Sequence, residues 1–228
     1  MTNDMVASSH RPCLLLMGAM APFGAEILTR MLAAGFDVIQ AMDVALWRET
    51  SESRTELDVL VVNVPVTRTA LRFDAVDDVA FESALQTQFF DVVQAAQAAL
   101  PRMRKGARIV FVGSRGHLGA WGGVHLMAAS AALVAMMRSM ALELTPEGIR
   151  VNMVAADFAL DRGDSPTLRA AIAHAVEFLC SAELGISGET LLIDGNASLR
   201  MGEARDRRPP FLGTIQNHPP GPAGHLPA

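Results

Sequence analysis

Ser114 ends an apolar run and is followed within eleven residues by two histidines, His117 and His125. A serine hydroxyl beside an imidazole becomes an activated nucleophile when a third group orients the base. Gln88 and Asp157 are the polar residues elsewhere in the chain that could complete such a set. The chemistry would be that of a lyase, isomerase or cyclase working without a cofactor. Each residue also has a plain structural use: a serine after a strand bonds loop N–H groups, histidines in a glycine-rich loop face water, and an aspartate caps a turn. No metal site is expected, because Cys13 and Cys180 are the only cysteines and lie in separate apolar segments, where they read as buried free thiols.

The elements that position these residues are legible around them. Ile109 to Val112 form an apolar run between Gly106 and Gly113, the pattern of a strand covered by helices on both faces. From Leu126 to Leu144 apolar residues recur at helical spacing, with Ala and Met between, so this helix is expected to be buried round most of its circumference. Met127, Met136, Met137 and Met140 read as core or interface filler. Trp121 sits in the loop that joins strand to helix, over the ground where Ser114 would act. Upstream, Cys13 to Met17 reads as a buried strand, the next residues as a turn holding Gly18 and Gly24, and those after it as a helix closed by Gly35. Phe36 to Met42 and the stretch 57–66 are further strands. Phe81 to Leu100 is a second long helix, ended by Pro101 and a turn at Arg104-Lys105-Gly106. Gly148 to Ala155 reads as a strand, Ser165 to Ser181 as a helix capped by Ser165 with Pro166 in its first turn, and Ile186 to Asn196 as a closing strand. Alternation of strands and helices defines an α/β fold with a parallel sheet.

With 228 residues, half of them apolar, the chain suits one domain over 12–200, flanked by a flexible leader at 1–11 and a Pro-, Gly- and Arg-rich disordered tail at 201–228. A formal charge of -5, from 24 acidic and 19 basic residues, argues against nucleic-acid or anionic-membrane partners. No apolar run approaches the ~18 residues of a membrane span, and the opening residues lack the basic start and apolar core of a signal peptide. A cytoplasmic protein is expected.

The strand-end Ser114, the turn between Gly18 and Gly24, the helix end at 138–144, the strand at 148–155 and the closing segment 186–196 together resemble the short-chain dehydrogenase/reductase family, over roughly Cys13 to Asn196. The resemblance implies a Rossmann-like, doubly wound parallel sheet and NAD(P)-dependent chemistry on carbonyl or hydroxyl groups. It also implies a catalytic set of Asn, Ser, Tyr and Lys, of which Ser114 alone is kept. Gln88 stands in the Asn place, and Leu126 and Ser130 or, one residue on, Met127 and Ala131 stand in the Tyr and Lys places; the chain has no Tyr, and its single Lys is Lys105. In the phosphate turn Gly18 and Gly24 occupy the outer glycine places, and Pro22 replaces the middle one and removes an N–H. Asp43 is the residue placed to hold ribose hydroxyls, and Asn63 is the one match to the family's Asn-Asn-Ala-Gly motif. Thirteen residues, Val44 to Glu56, precede the next strand. One crossover needs at least ~10 to 12, so the family's third strand and adjoining helix are expected to be deleted. The eight residues 157–164 leave the substrate lid short.

On this resemblance the chain is a catalytically silent subunit, like the inactive subunits of heteromeric family members. It would bind no cofactor itself and would assemble into a heterotetramer with an active paralogue that holds NAD(P) and acts on hydroxy- or keto-acyl groups carried as thioesters. The two long helices, and the last helix and strand, are the family's assembly surfaces; they admit a homo-oligomer as well. Three alternatives stay open: a rebuilt site around Ser114, a non-standard NAD(P)-dependent oxidoreductase with its proton donor from elsewhere, and a regulatory or ligand-binding protein. Convergence of Ser114 with either histidine would favour the rebuilt enzyme, and a filled cavity there the silent subunit.

Overall fold

Six strands, β1 (Cys13–Met17), β2 (Asp37–Ala41), β3 (Leu57–Asn63), β4 (Met103–Ser114), β5 (Arg150–Ala156) and β6 (Thr190–Ile193), form one parallel sheet in the order β2-β1-β3-β4-β5-β6. The computed structural model describes residues 11–42, 44, 47, 55–65, 71–120, 122–156, 165–181 and 185–195. Successive strand side chains point to opposite faces, and the apolar runs of β1, β3, β4 and β5 divide accordingly. Leu15, Leu60, Ile109, Phe111 and Met153 pack on one side with the third and fourth helices. Leu14, Leu16, Val61, Val110 and Val154 pack on the other with the first and last. Full burial of such a residue is worth about 1.5–3 kcal/mol, which is why strands covered on both faces read as unbroken apolar runs.

The first face is covered by α3 (Asp91–Ala99) and α4 (Val124–Glu143), with α2 (Asp78–Leu85) packed against α4; α1 (Gly24–Ala33) and α5 (Pro166–Cys180) cover the second. The chain leaves β1 outward to β2 and returns to β3, so the direction of winding reverses between β1 and β3. In open α/β sheets ligand crevices form at such a point, beyond the carboxyl ends of the strands.

Several local expectations are corrected. The expected single helix over 81–100 begins at Asp78, because the Asp77 carboxylate accepts a bond from Ala80 N and caps it. It is then interrupted by a π turn over Gln86–Phe90 that separates α2 from α3. The Arg104-Lys105-Gly106 turn is instead an excursion within β4: Leu57 pairs with Met103 and Val59 with Arg108, so β4 runs through extra residues while its neighbour advances by two. Gly106 takes φ +80 there. Ser165 stands at the N-cap of α5 but its side chain makes no capping bond. Cys180 is buried, whereas Cys13 is only half-buried. The central helix α4 is not enclosed on all sides; Ala131, Ala135, Ser139 and Leu142 are exposed. By length and composition α4 also passes for a membrane span, against expectation. Its Leu133, Val134 and Met137 pack into the sheet's core.

No strand lies between Ala41 and Leu57 among the described residues. The deletion expected there falls largely on residues outside the described ones, as do the lid at 157–164, the leader, the tail, Asp43, Trp121 and Asp157.

Candidate functional site

Ser114 is the last residue of β4, and its Oγ accepts a hydrogen bond from Gly116 N at 3.0 Å, capping a short 3-10 turn over Arg115–Leu118. His117 lies in that turn, with Nδ1 3.4 Å from the carbonyl oxygen of Ser114. It meets the serine's backbone, not its hydroxyl. His125 is buried in the first turn of α4 with its ring centroid 6.5 Å from that of Phe81 on α2. Among the described residues no hydrogen bond joins Ser114 Oγ to either imidazole, so the Ser–His pair is not assembled.

Helix α4 presents Leu126, Met127 and Ser130 toward this turn. Leu126 is buried, and Ser130 Oγ donates to the Leu126 carbonyl at 2.9 Å, the bond a buried helical serine makes when no other acceptor is near. A methyl group placed on Gly116 would stand 2.7 Å from Met127 Sδ and 3.1 Å from Ser130 Oγ. Met127 and Ser130 thus pack directly against Gly116 of the Ser114 turn. Gln88 lies buried in the π turn, a distortion often found at functional sites. Its Nε2, like His125 Nδ1, has no hydrogen-bond partner among the described residues.

A second group of residues converges at the switch point. Gly18 takes φ +75 with Asn63 O only 2.1 Å from where its Cβ would be, and a Cβ on Gly24 would meet Ala19 O at 2.0 Å. Both positions require glycine. Asn63, buried at the end of β3, donates from Nδ2 to the carbonyls of Pro22 (2.7 Å), Gly18 (3.1 Å) and Ala21 (3.4 Å), which ties the turn to the sheet. Within the turn, Ala21 N bonds Gly18 O and Gly24 N bonds Ala21 O, each at 3.0 Å. Phe23 is left-handed, φ 70, with its ring buried and the Arg169 guanidinium 5.8 Å from the ring centroid. Arg169 also bonds Glu26 at 3.0 Å, so α1 and α5 are latched beside the turn.

A cleft of about 300 Å³ opens at the ends of β1 and β3, lined by Gly18, Met42, Asn63, Pro65, Thr87 and Asp91 among others. Asp91 is its only charged lining residue among those described. Gly18, Gly24 and Asn63 are thus brought together, and Gln88, Leu126 and Ser130 lie along the two long helices. Sequence reasoning placed Met127 on the helix as filler but missed its contact with Gly116, and it missed Phe23 and the acceptors of Asn63. The Met127 contact joins two elements and has no signal in the sequence of either. The other two depend on contacts about 40 residues or more apart in sequence. The thiols are poorly suited to chemistry: burial pushes Cys180 far up, and burial with the Asp58 and Asp37 carboxylates raises Cys13.

A doubly wound parallel sheet with a glycine turn at its switch point is the architecture of a dinucleotide-binding oxidoreductase. The family model described as enoyl-(acyl carrier protein) reductase matches residues 18–162, and the chain belongs to the short-chain dehydrogenase/reductase family of oxidoreductases. It is 33% identical over 162 residues to the 3-oxoacyl-(acyl-carrier-protein) reductase FabG of Salmonella typhimurium, covering 61% of this chain and 66% of that one. It is 29% identical over 193 residues to the corresponding reductase MabA of Mycobacterium avium, covering 81% and 71%. The chain therefore spans just under two thirds of the length of FabG. Among solved structures, a Serratia marcescens short-chain dehydrogenase/reductase superposes with TM-score 0.68 at 24% identity, over 81% of this chain and 96% of that one. BdcA in complex with NADPH gives TM-score 0.68 at 20% identity, over 82% and 95%.

Proposed function

We propose that this chain is a catalytically silent short-chain dehydrogenase subunit that assembles with an active paralogue, the paralogue binding NAD(P) and carrying out the reaction. The observation that carries this reading is the replacement of both titratable helix residues by groups already used in packing. Leu126 has no proton to give, and the Ser130 hydroxyl is committed to the Leu126 carbonyl. Carbonyl reduction needs a proton at oxygen as hydride reaches carbon, and general acid catalysis contributes about 100- to 10,000-fold. Met127 packs against the Gly116 turn beside them.

The turn does not fit a dinucleotide. Pro22 has no N–H and two of the turn's N–H groups bond the turn's own carbonyls, so fewer donors are left for a phosphate. Its glycines are explained by backbone crowding alone. The names of the relatives support a 3-oxoacyl thioester as the substrate class of the partner.

A second reading, a cofactor-free site rebuilt beneath the Ser114 turn, is favoured by the two buried, unpartnered atoms Gln88 Nε2 and His125 Nδ1. The deciding experiment is co-expression with an intact short-chain dehydrogenase, followed by mass determination of the assembly and titration of each chain with NADH and NADPH. A mixed tetramer in which only the partner binds dinucleotide is expected. A lone homo-oligomer that binds NADPH overturns the silent-subunit reading. So does turnover that is abolished by His125→Ala.

A further inference from the structure

Two arginines stand side by side at the amino ends of the central strands. Arg108 of β4 and Arg150 of β5 are partners in the parallel register. Alternation along the strands sends them to the same side as Val110 and Val154, the side covered by α1 and α5. Both are half-buried. Arg108 is held in place by α5: its Nε donates to the carbonyl of Ser181, the residue that ends the helix, at 3.1 Å. Its Nη1 and Nη2 make no hydrogen bond among the described residues, whereas Arg150 makes contacts of its own. Burial and the neighbouring Arg150 charge lower the Arg108 guanidinium below its ordinary value, the mark of like charges brought close.

The carboxylates at this end have other partners or face water. Asp58 accepts from Arg104 Nη1 at 3.2 Å and from Cys13 N at 2.8 Å, and Glu56 accepts from Arg104 Nε at 2.9 Å. Glu177 on α5 is paired with Arg30. Glu143 and Glu147, before β5, are exposed, and Glu183 lies outside the described residues. Arg102 and Lys105, exposed at the start of β4, add positive charge. Two guanidinium groups fixed on a rigid sheet repel each other, and an oxyanion lying between them converts that repulsion into two attractions. Each is a planar fork of N–H donors that matches a phosphate or carboxylate, and groups that perturb one another's charge concentrate at functional sites. A doubly charged phosphate matches both cations, whereas a carboxylate leaves one over. We propose that Arg108 and Arg150 form a binding site for a phosphate group, at the end of the sheet opposite the glycine turn and Ser114. The site needs neither a dinucleotide nor a partner subunit, so it goes beyond the silent-subunit reading and does not rest on it.

The test titrates the full chain with inorganic phosphate and with phenyl phosphate, by calorimetry and by urea midpoint, against chloride at matched ionic strength. Saturable binding with a Kd of about 1 mM is expected, so that about 20 mM phosphate shifts the folding equilibrium about 20-fold over chloride. Equal affinity for both probes assigns the site to free phosphate, and tighter binding of the ester to a phosphorylated small molecule. Arg108→Gln and Arg150→Gln should each weaken binding about tenfold; Arg138→Gln, exposed on α4, should leave it unchanged. The readout is the difference between phosphate and chloride, which loss of a merely structural contact does not move. Where Arg108→Gln does not fold, Arg108→Lys takes its place, keeping the charge but not the fork, and should weaken binding about threefold or more. Phosphate no better than chloride overturns the inference, as does binding unmoved by either arginine change. So does binding that appears only with Glu183→Gln, since the chain's own carboxylate would then fill the site.

Discussion

Asn63 shows how one side chain can serve structure where its family position speaks of ligand binding. Its amide donates to three carbonyls of the glycine turn, so Asn63→Asp would set a buried carboxylate against three acceptors. A loss of about 3 kcal/mol or more is expected, read from the denaturant midpoint, with Asn63→Ala costing less. The helix positions make an opposite test. Restoring the family's residues with Leu126→Tyr and Ser130→Lys should not restore reduction, because Met127 packs against the Gly116 turn beside them. The double variant is expected to lose about 1–3 kcal/mol by overpacking and to show no NADPH oxidation with a 3-oxoacyl thioester. Measurable turnover would mean that the cradle still binds cofactor. The replacements themselves were legible in the sequence, since a chain without tyrosine has no tyrosine to place. The packing beside them was not, because that depends on the rotamer of Met127 against a glycine from another element.

The glycine turn shows which constraints belong to the backbone of an element. Gly18→Ala would drive a methyl into Asn63 O, and a loss of about 3 kcal/mol or more is expected. Gly35 has a similar positive φ but open space around it, so Gly35→Ala should cost only the left-handed conformation, about 1–2 kcal/mol. Thermal or urea melts of the two variants check the contrast; equal losses would mean that crowding at Gly18 is relieved by movement of β3. Strands β1, β3, β4 and β5 were legible because both faces are covered and each reads as an apolar run. The π turn was not, because Gln86–Phe90 keeps an ordinary helical composition and its extra residue is a matter of hydrogen bonding. Phe23 was equally hidden: nothing in a phenylalanine announces a left-handed backbone, and burial of its ring stabilises it there.

For the molecule as a whole, the order of elements was readable because strands and helices alternate with short connections and so admit few topologies. The exposure of Phe73, Val79 and Phe90 was not, because it emerges only once the fold has decided which helix face is left uncovered. Global stability should carry one pH signature. Burial raises the Cys180 thiol above its ordinary value of 9.0. Below pH 9.0 the thiol is protonated in both states and its contribution to stability is constant. Above it the unfolded chain releases a proton that the folded chain keeps, so stability falls with rising pH, at up to about 1.4 kcal/mol per unit. Urea midpoints at pH 8 and pH 10 should therefore differ more for the unaltered protein than for Cys180→Ala. The excursion in β4 has a practical side. It carries Lys105, exposed and the only lysine of the chain, at the amino ends of the strands, whereas Phe73 and the cap of α2 follow the carboxyl end of β3. An amine-reactive dye would thus mark one internal position, remote from the cleft at the carboxyl ends of β1 and β3, without an engineered cysteine.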